Sequence, residues 1–103
     1  MRTPQELERD LVAPETLGLN SRVEIREAAK HLLAELPTGT GRLVIDLSAT
    51  RTIDSAGLGA LMLIQRMAAE RRQTVALRAP SEEIRFLLVL TKLADLFDIE
   101  DTP

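Results

Sequence analysis

The chain has 103 residues, a formal net charge of −3, 45% hydrophobic and 28% charged residues, which fits one globular domain and argues against disorder. With no cysteine and a single histidine, His31, a disulfide framework, thiolate metal sites and a histidine-built zinc site are excluded. The acidic balance and the presence of only two aromatics, Phe86 and Phe97, argue against nucleic acid, whose recognition leans on clustered Lys and Arg and on stacking side chains.

The opening, MRTPQELERDL, lacks the apolar run of a signal peptide. No apolar stretch reaches the ~20 residues of a membrane span, so a cytoplasmic protein without direct membrane insertion is expected. Residues 1–7 and 101–103 are expected to fray at the ends of a single domain covering 1–103. RDLVAP (9–14) reads as a short strand ended by Pro14, which has no N–H to continue a ladder. Ser21 followed by Glu24 fits a capping box, and Ile25, Ala28, Ala29, Leu32, Leu33 and Leu36 then recur at helical spacing. Pro37 and the TGTG after it stop that helix, and His31 lies beside the apolar stripe as a surface or boundary residue.

RLVIDLS (42–48) is a compact apolar run and reads as a buried central strand. ATRT leads to Ile53, and a second helix opens near Ser55 and runs from about Ala56 to Arg71. Its first turns are apolar almost all round and become charged only from Arg66. QTVALRA (73–79) reads as another strand. Pro80-Ser81 starts a third helix, with Ser81 as N-cap and Glu82 and Glu83 in the first turn, where the helix dipole favours acids. A last apolar piece, LADLFDI, either closes the sheet or packs beside it. Strands and helices that alternate in this way imply an α/β fold with a mainly parallel sheet and right-handed crossovers.

The stretch IDSAGLG (53–59) carries the chemistry worth weighing. A serine nucleophile needs a base and an oxyanion hole, yet only one histidine is available and DSAGLG does not match G-x-S-x-G. Gly57-Leu58-Gly59 follows a strand and opens a helix, as a phosphate loop does, but G-x-x-x-x-G-K-[ST] and the third glycine of G-x-G-x-x-G are absent. Asp46 and Asp54 both stand near strand ends, but two carboxylates fall short of an oxygen-ligand metal site. Taken singly, Ser55 reads as a helix N-cap worth ~1 kcal/mol, and the glycines as a tight strand-to-helix passage.

Taken together, Asp46-Leu47-Ser48, Ile53-Asp54-Ser55-Ala56-Gly57-Leu58-Gly59, Pro80-Ser81 and Leu96-Phe97-Asp98-Ile99 fall in the order of a known pattern. Over residues 42–101 the chain resembles the STAS domain family, in particular the bacterial anti-sigma factor antagonists. The resemblance implies a four- to five-stranded mixed, mainly parallel sheet with helices packed mainly on one face. It implies a protein that is not an enzyme, needs no cofactor and binds no metal. Its partner would be an anti-sigma factor with serine kinase activity, which phosphorylates Ser55 until a phosphatase restores it. Asp46, Asp54, Ala56, Gly57, Leu58 and Gly59 would form the region around the phosphoacceptor. The apolar surplus of the second helix either buries it on two sides or leaves Leu63, Ile64 and Met67 for the partner. The same family also supplies regulatory or structural subunits of larger assemblies, such as lipid-transport ATPase complexes. Two departures stand out: the Gly-Glu-Leu/Ile-Asp turn that ends the usual N-terminal strand pair is replaced by residues 14–19, PETLGL, with the first strand expected to be missing or reduced, and Lys92 stands where glycine is frequent after the third helix.

Overall fold

The computed structural model describes residues 4–101. One helical turn, α1 (Pro4–Leu7), leads into β1 (Glu8–Val12), β2 (Thr16–Leu17) and α2 (Arg22–Glu35). There follow β3 (Arg42–Asp46), β4 (Thr52–Ile53), α3 (Ser55–Glu70), β5 (Thr74–Arg78), α4 (Glu82–Leu90), a 3₁₀ turn (Leu93–Leu96) and β6 (Asp98–Glu100). Four strands form one sheet in the order β1-β3-β5-β6, while β2 and β4 make a separate short ladder. Every ladder among the described residues is parallel, with Glu8 opposite Arg42, Arg42 opposite Thr74 and Ala76 opposite Asp98. The helices α2, α3 and α4 carry the chain back between these strands, as parallel pairing requires.

Strand register decides which side the helices occupy. Leu43, Ile45, Val75 and Leu77 point to one face and join a buried cluster with Ile25, Ala29 and Leu33 of α2, Leu61, Ile64 and Ala68 of α3, and Ile84 and Leu88 of α4. All three long helices therefore cover the same face, as the resemblance implied. The intervening residues point the other way. There Arg42 pairs with Glu8, Asp98 and Glu100, and Arg78 with Glu8, Asp10 and Glu100. Val44 and Ala76 lie on this second face and are fully buried although they stand outside the helix-side cluster.

Local details differ from the sequence expectations for identifiable reasons. Residues 4–7, expected to fray, form a helical turn, and Asp101 is tied to Arg85 at 2.5 Å; residues 1–3 and 102–103 lie outside the described residues. Ser21 stands at the N-cap of α2, but the capping box does not form. Its Oγ instead accepts the Gly18 N–H (3.0 Å) and donates to the Thr16 carbonyl (2.9 Å), fastening the loop in front of the helix. Ser81 does cap α4 as expected, accepting the Ile84 N–H at 3.2 Å. LADLFDI does both things allowed for it: its first part is the 3₁₀ turn and its end enters β6 against β5. Lys92 adopts the left-handed conformation, φ 65°, that glycine would take more cheaply.

Candidate functional site

The passage from β3 to α3 is held by a second segment far away in sequence. Asp46 ends β3 and turns its Oδ1 back onto the Ser48 N–H (2.8 Å). Thr50 is buried and donates its hydroxyl to the Pro14 carbonyl at 2.8 Å. The Glu15 carbonyl accepts the N–H groups of Arg51 and Thr52, after which β2 and β4 pair. Residues 14–17, the stretch that departs from the family pattern, thus form the wall against which IDSAGLG is set.

Asp54, not Ser55, is the N-cap of α3. Its Oδ1 accepts the Gly57 N–H at 2.9 Å, and its Oδ2 accepts the Leu19 N–H at 3.2 Å. One carboxylate therefore closes the helix and pins the Gly18-Leu19 loop to it. A Cβ on Gly18 would lie 2.7 Å from the Asp54 Cγ, so this loop position needs glycine for space. Ser55 is the first helical residue and is exposed, with its hydroxyl released from the capping role the sequence suggested. The phosphate-loop reading fails on the same geometry, because the first-turn N–H that a phosphate would use is already bonded to Asp54.

The two glycines of the motif do different things. Gly57 is buried, and a Cβ there would overlap the backbone of Leu17, with the carbonyl carbon only 2.7 Å away. Gly59 is exposed, and nothing lies within 4 Å of the Cβ it lacks. Glycine inside a helix costs ~0.5–1 kcal/mol against alanine through backbone entropy. Gly59→Ala should therefore raise the stability of the isolated protein by that amount and its Tm by about 2–8 °C, read by calorimetry.

Burial sorts the remaining residues named from the sequence. Ile64 is fully buried in the core under the sheet, so it is withdrawn from the partner-facing side: the i, i+3, i+4 spacing of Leu61, Ile64 and Ala68 makes it part of the inward stripe. Ala56, Leu58, Leu63 and Met67 are half-buried, and Leu58 and Met67 pack against the core. The outward stripe of α3 consists of Ser55, Gly59, Met62 and Arg66. Exposed Leu19, Arg22 and Val23 stand at the same end of the molecule, linked to Ser55 through the Leu19–Asp54 bond. No spacing rule flags this end, because Leu19 meets the motif only across 35 residues of chain.

The carboxylates of this region are held ionised. Hydrogen bonding from the Gly57 N–H, then from Leu19, keeps Asp54 below the usual aspartate range. Ser48 does the same for Asp46, and Arg42 followed by Arg78 for Glu100 on the open sheet face. Each folded-state value lies below the unfolded one, so the stabilisation is complete above the ordinary values of 3.8 for Asp and 4.5 for Glu. It is lost as pH falls through the lower folded values. Urea midpoints should accordingly be flat from neutral pH down to about 5 and drop below about 4. Asp46 and Asp54 each serve the backbone of their own turn, and among the described residues no group of three His, Cys, Asp or Glu could hold a metal ion. His31 is exposed on α2, and no helix among the described residues is long and apolar enough to cross a membrane.

Comparison with known proteins agrees with the fold. A family model described as "Mlab, STAS domain" matches residues 13–98. The crystal structure of a Thermotoga maritima protein, described as a candidate anti-sigma factor antagonist, superposes with a TM-score of 0.75 at 24% identity, over 90% of this chain and 80% of its own. The NMR structure of the same protein gives a TM-score of 0.77 at 24% identity, over 92% of this chain and 74% of its own.

Proposed function

The chain belongs to the STAS domain family, and from that premise we propose that it is an anti-sigma factor antagonist switched by phosphorylation of Ser55. The observation that carries this reading is the division of labour at the head of α3. Asp54 does the capping, and Ser55 is left exposed at the first helical position with no structural task. The protein is then the substrate of its partner's kinase activity and not itself a catalyst. The similar Thermotoga maritima protein, described as a candidate antagonist, supports the same role.

In the unphosphorylated state an anti-sigma factor with serine kinase activity docks over Ser55, Gly59 and Met62, with Leu19 and Val23 at the edge. A phosphate on Ser55 adds about 1.5–2 negative charges. The N-terminus of α3 tolerates that charge, so the fold survives. A partner presenting an acidic group about 5 Å away does not: at an effective dielectric near 20 two unit charges repel by roughly 3 kcal/mol, about a hundredfold in affinity. A phosphatase then resets the switch.

The test uses an anti-sigma factor with serine kinase activity, sought among the genes neighbouring this one. Incubation with ATP should place a single phosphate on Ser55 by mass spectrometry, since Ala56 leaves no second hydroxyl in the motif. Ser55→Ala should bind like wild type and Ser55→Asp about ten- to a hundredfold more weakly, with equal melting temperatures. Equal affinities of the two variants would sink the charge switch. A second reading, a STAS subunit of a lipid-transport ATPase, uses the same face as a permanent contact; exposed Met62, Leu19 and Val23 suit it. It is favoured if Ser55 stays unmodified and the protein co-purifies with a permease and an ATPase.

A further inference from the structure

The outer face of α4 has no task in the reading above. Ile84 and Leu88 turn into the core, and the opposite side of this short helix carries Phe86, Val89 and Leu90, which are 67%, 60% and 67% exposed. One of the two aromatics in the protein thus stands in solvent beside two large aliphatics. Scattered apolar residues on a surface need no explanation, but three together on one helical face mark a contact surface. Along the flank of α4, Ile53, Leu87 and Leu90 line a shallow groove between the helix and β4.

The charges at the two ends of the patch select the occupant. Glu82 and Glu83 are exposed in the first turn, and Lys92 is exposed just past the last. An antiparallel copy of the same helix brings both acids of one chain onto Lys92 of the other, twice, and sets Phe86 against Val89 and Leu90. It also opposes the two helix dipoles. A lipid surface would instead ask for basic residues around the apolar side chains, and the acids at Glu82 and Glu83 oppose that. We propose that α4 is the self-association surface of this protein, two copies packing antiparallel through Phe86, Val89 and Leu90 about a two-fold axis.

The helix is nine residues long, about 13 Å, and such a contact covers less than the ~800 Å² per partner of a standard interface. The dimer is therefore weak, with a dissociation constant on the order of 100 µM. It is independent of the Ser55 switch, and Ser55→Ala should associate like wild type.

Sedimentation equilibrium of the whole protein from about 10 µM to about 1 mM tests the proposal. Wild type should pass from monomer to dimer over this range. Phe86→Asp should weaken association at least about tenfold with an unchanged melting temperature, because Phe86 is exposed and contributes little to the core. Lys92→Glu should weaken it severalfold, and Glu82→Lys combined with Glu83→Lys and Lys92→Glu should restore it. A wild type that stays monomeric at about 1 mM overturns the proposal; binding of that monomer to phosphatidylglycerol vesicles or to the anti-sigma factor through Phe86 would then assign the face elsewhere. A dimer that Phe86→Asp leaves intact, or that the triple charge swap fails to restore, also overturns it.

Discussion

Gly57→Ala should destabilise the protein by about 3 kcal/mol, the upper part of the range for forcing an extra carbon into a packed site. Judged on helix propensity alone, the substitution is favourable, because alanine is the best helix former and glycine among the worst. Packing reverses the sign. The added Cβ overlaps the carbonyl of Leu17, a backbone group fixed in the β2–β4 ladder and bonded to the Asp54 N–H (3.2 Å), so no side-chain rotation can relieve it. The first turn of α3 must move off β2, which disturbs the Asp54 cap and shifts Ser55. Gly59→Ala, two residues on in the same helix, is the internal control with the opposite expected sign. Urea unfolding followed by circular dichroism reads both, and equal midpoints for the two variants would mean that contact with Leu17 does not hold α3 in place.

Gln73→Glu should cost about 3 kcal/mol at neutral pH. Gln73 is buried beside the C-terminus of α2, where helical carbonyls have no partner within the helix. Its Nε2 donates to the carbonyls of Leu33 (2.9 Å), Leu36 (3.0 Å) and Pro37 (3.3 Å), so one amide closes the helix end and fastens it to β5. A carboxylate has no N–H to give, and it puts a negative charge where the helix dipole is already negative. Arg71, whose Nε donates to the Gln73 Oε1 at 3.2 Å, offsets part of this, but burial against three carbonyls pushes the introduced acid above its ordinary value. Its penalty is present at neutral pH and shrinks as acidification toward about pH 4 protonates it. Gln73→Met, which removes the donor without adding charge, should cost about 2 kcal/mol with no such recovery. A Gln73→Glu protein with the same pH profile as Gln73→Met would refute this account of the charge.

What could be read from the chain and what could not divides along sequence separation. Apart from α1 and the two-residue β2 and β4, which no local pattern announced, the order of strands and helices, the inward stripe of α2 and the Ser81 cap all depend on residues within four positions of one another. Those relations are fixed by helical and strand periodicity and by backbone sterics, and they were legible. The identity of the α3 cap was a nearer miss: Asp54 and Ser55 are both capping residues, and only the strand-like backbone of Asp54, ψ −176°, selects it. Other relations lay beyond reach, for they join residues some 35 to 40 positions apart: Asp54 to Leu19, Gly57 to Leu17, Gln73 to Leu33. The exposed face of α4 was hidden for a related reason, since the helix is apolar all round from Phe86 to Leu90 and shows which side is buried only when the sheet claims Ile84 and Leu88. The sequence by itself determined the α/β alternation, the family and Ser55 as the residue to watch, because local patterns and motif order carry them. Only the tertiary structure decided that Asp54 frees Ser55 from capping, that Ile64 points inward and that Phe86 points out, because those outcomes depend on which surfaces meet when the helices close over the sheet.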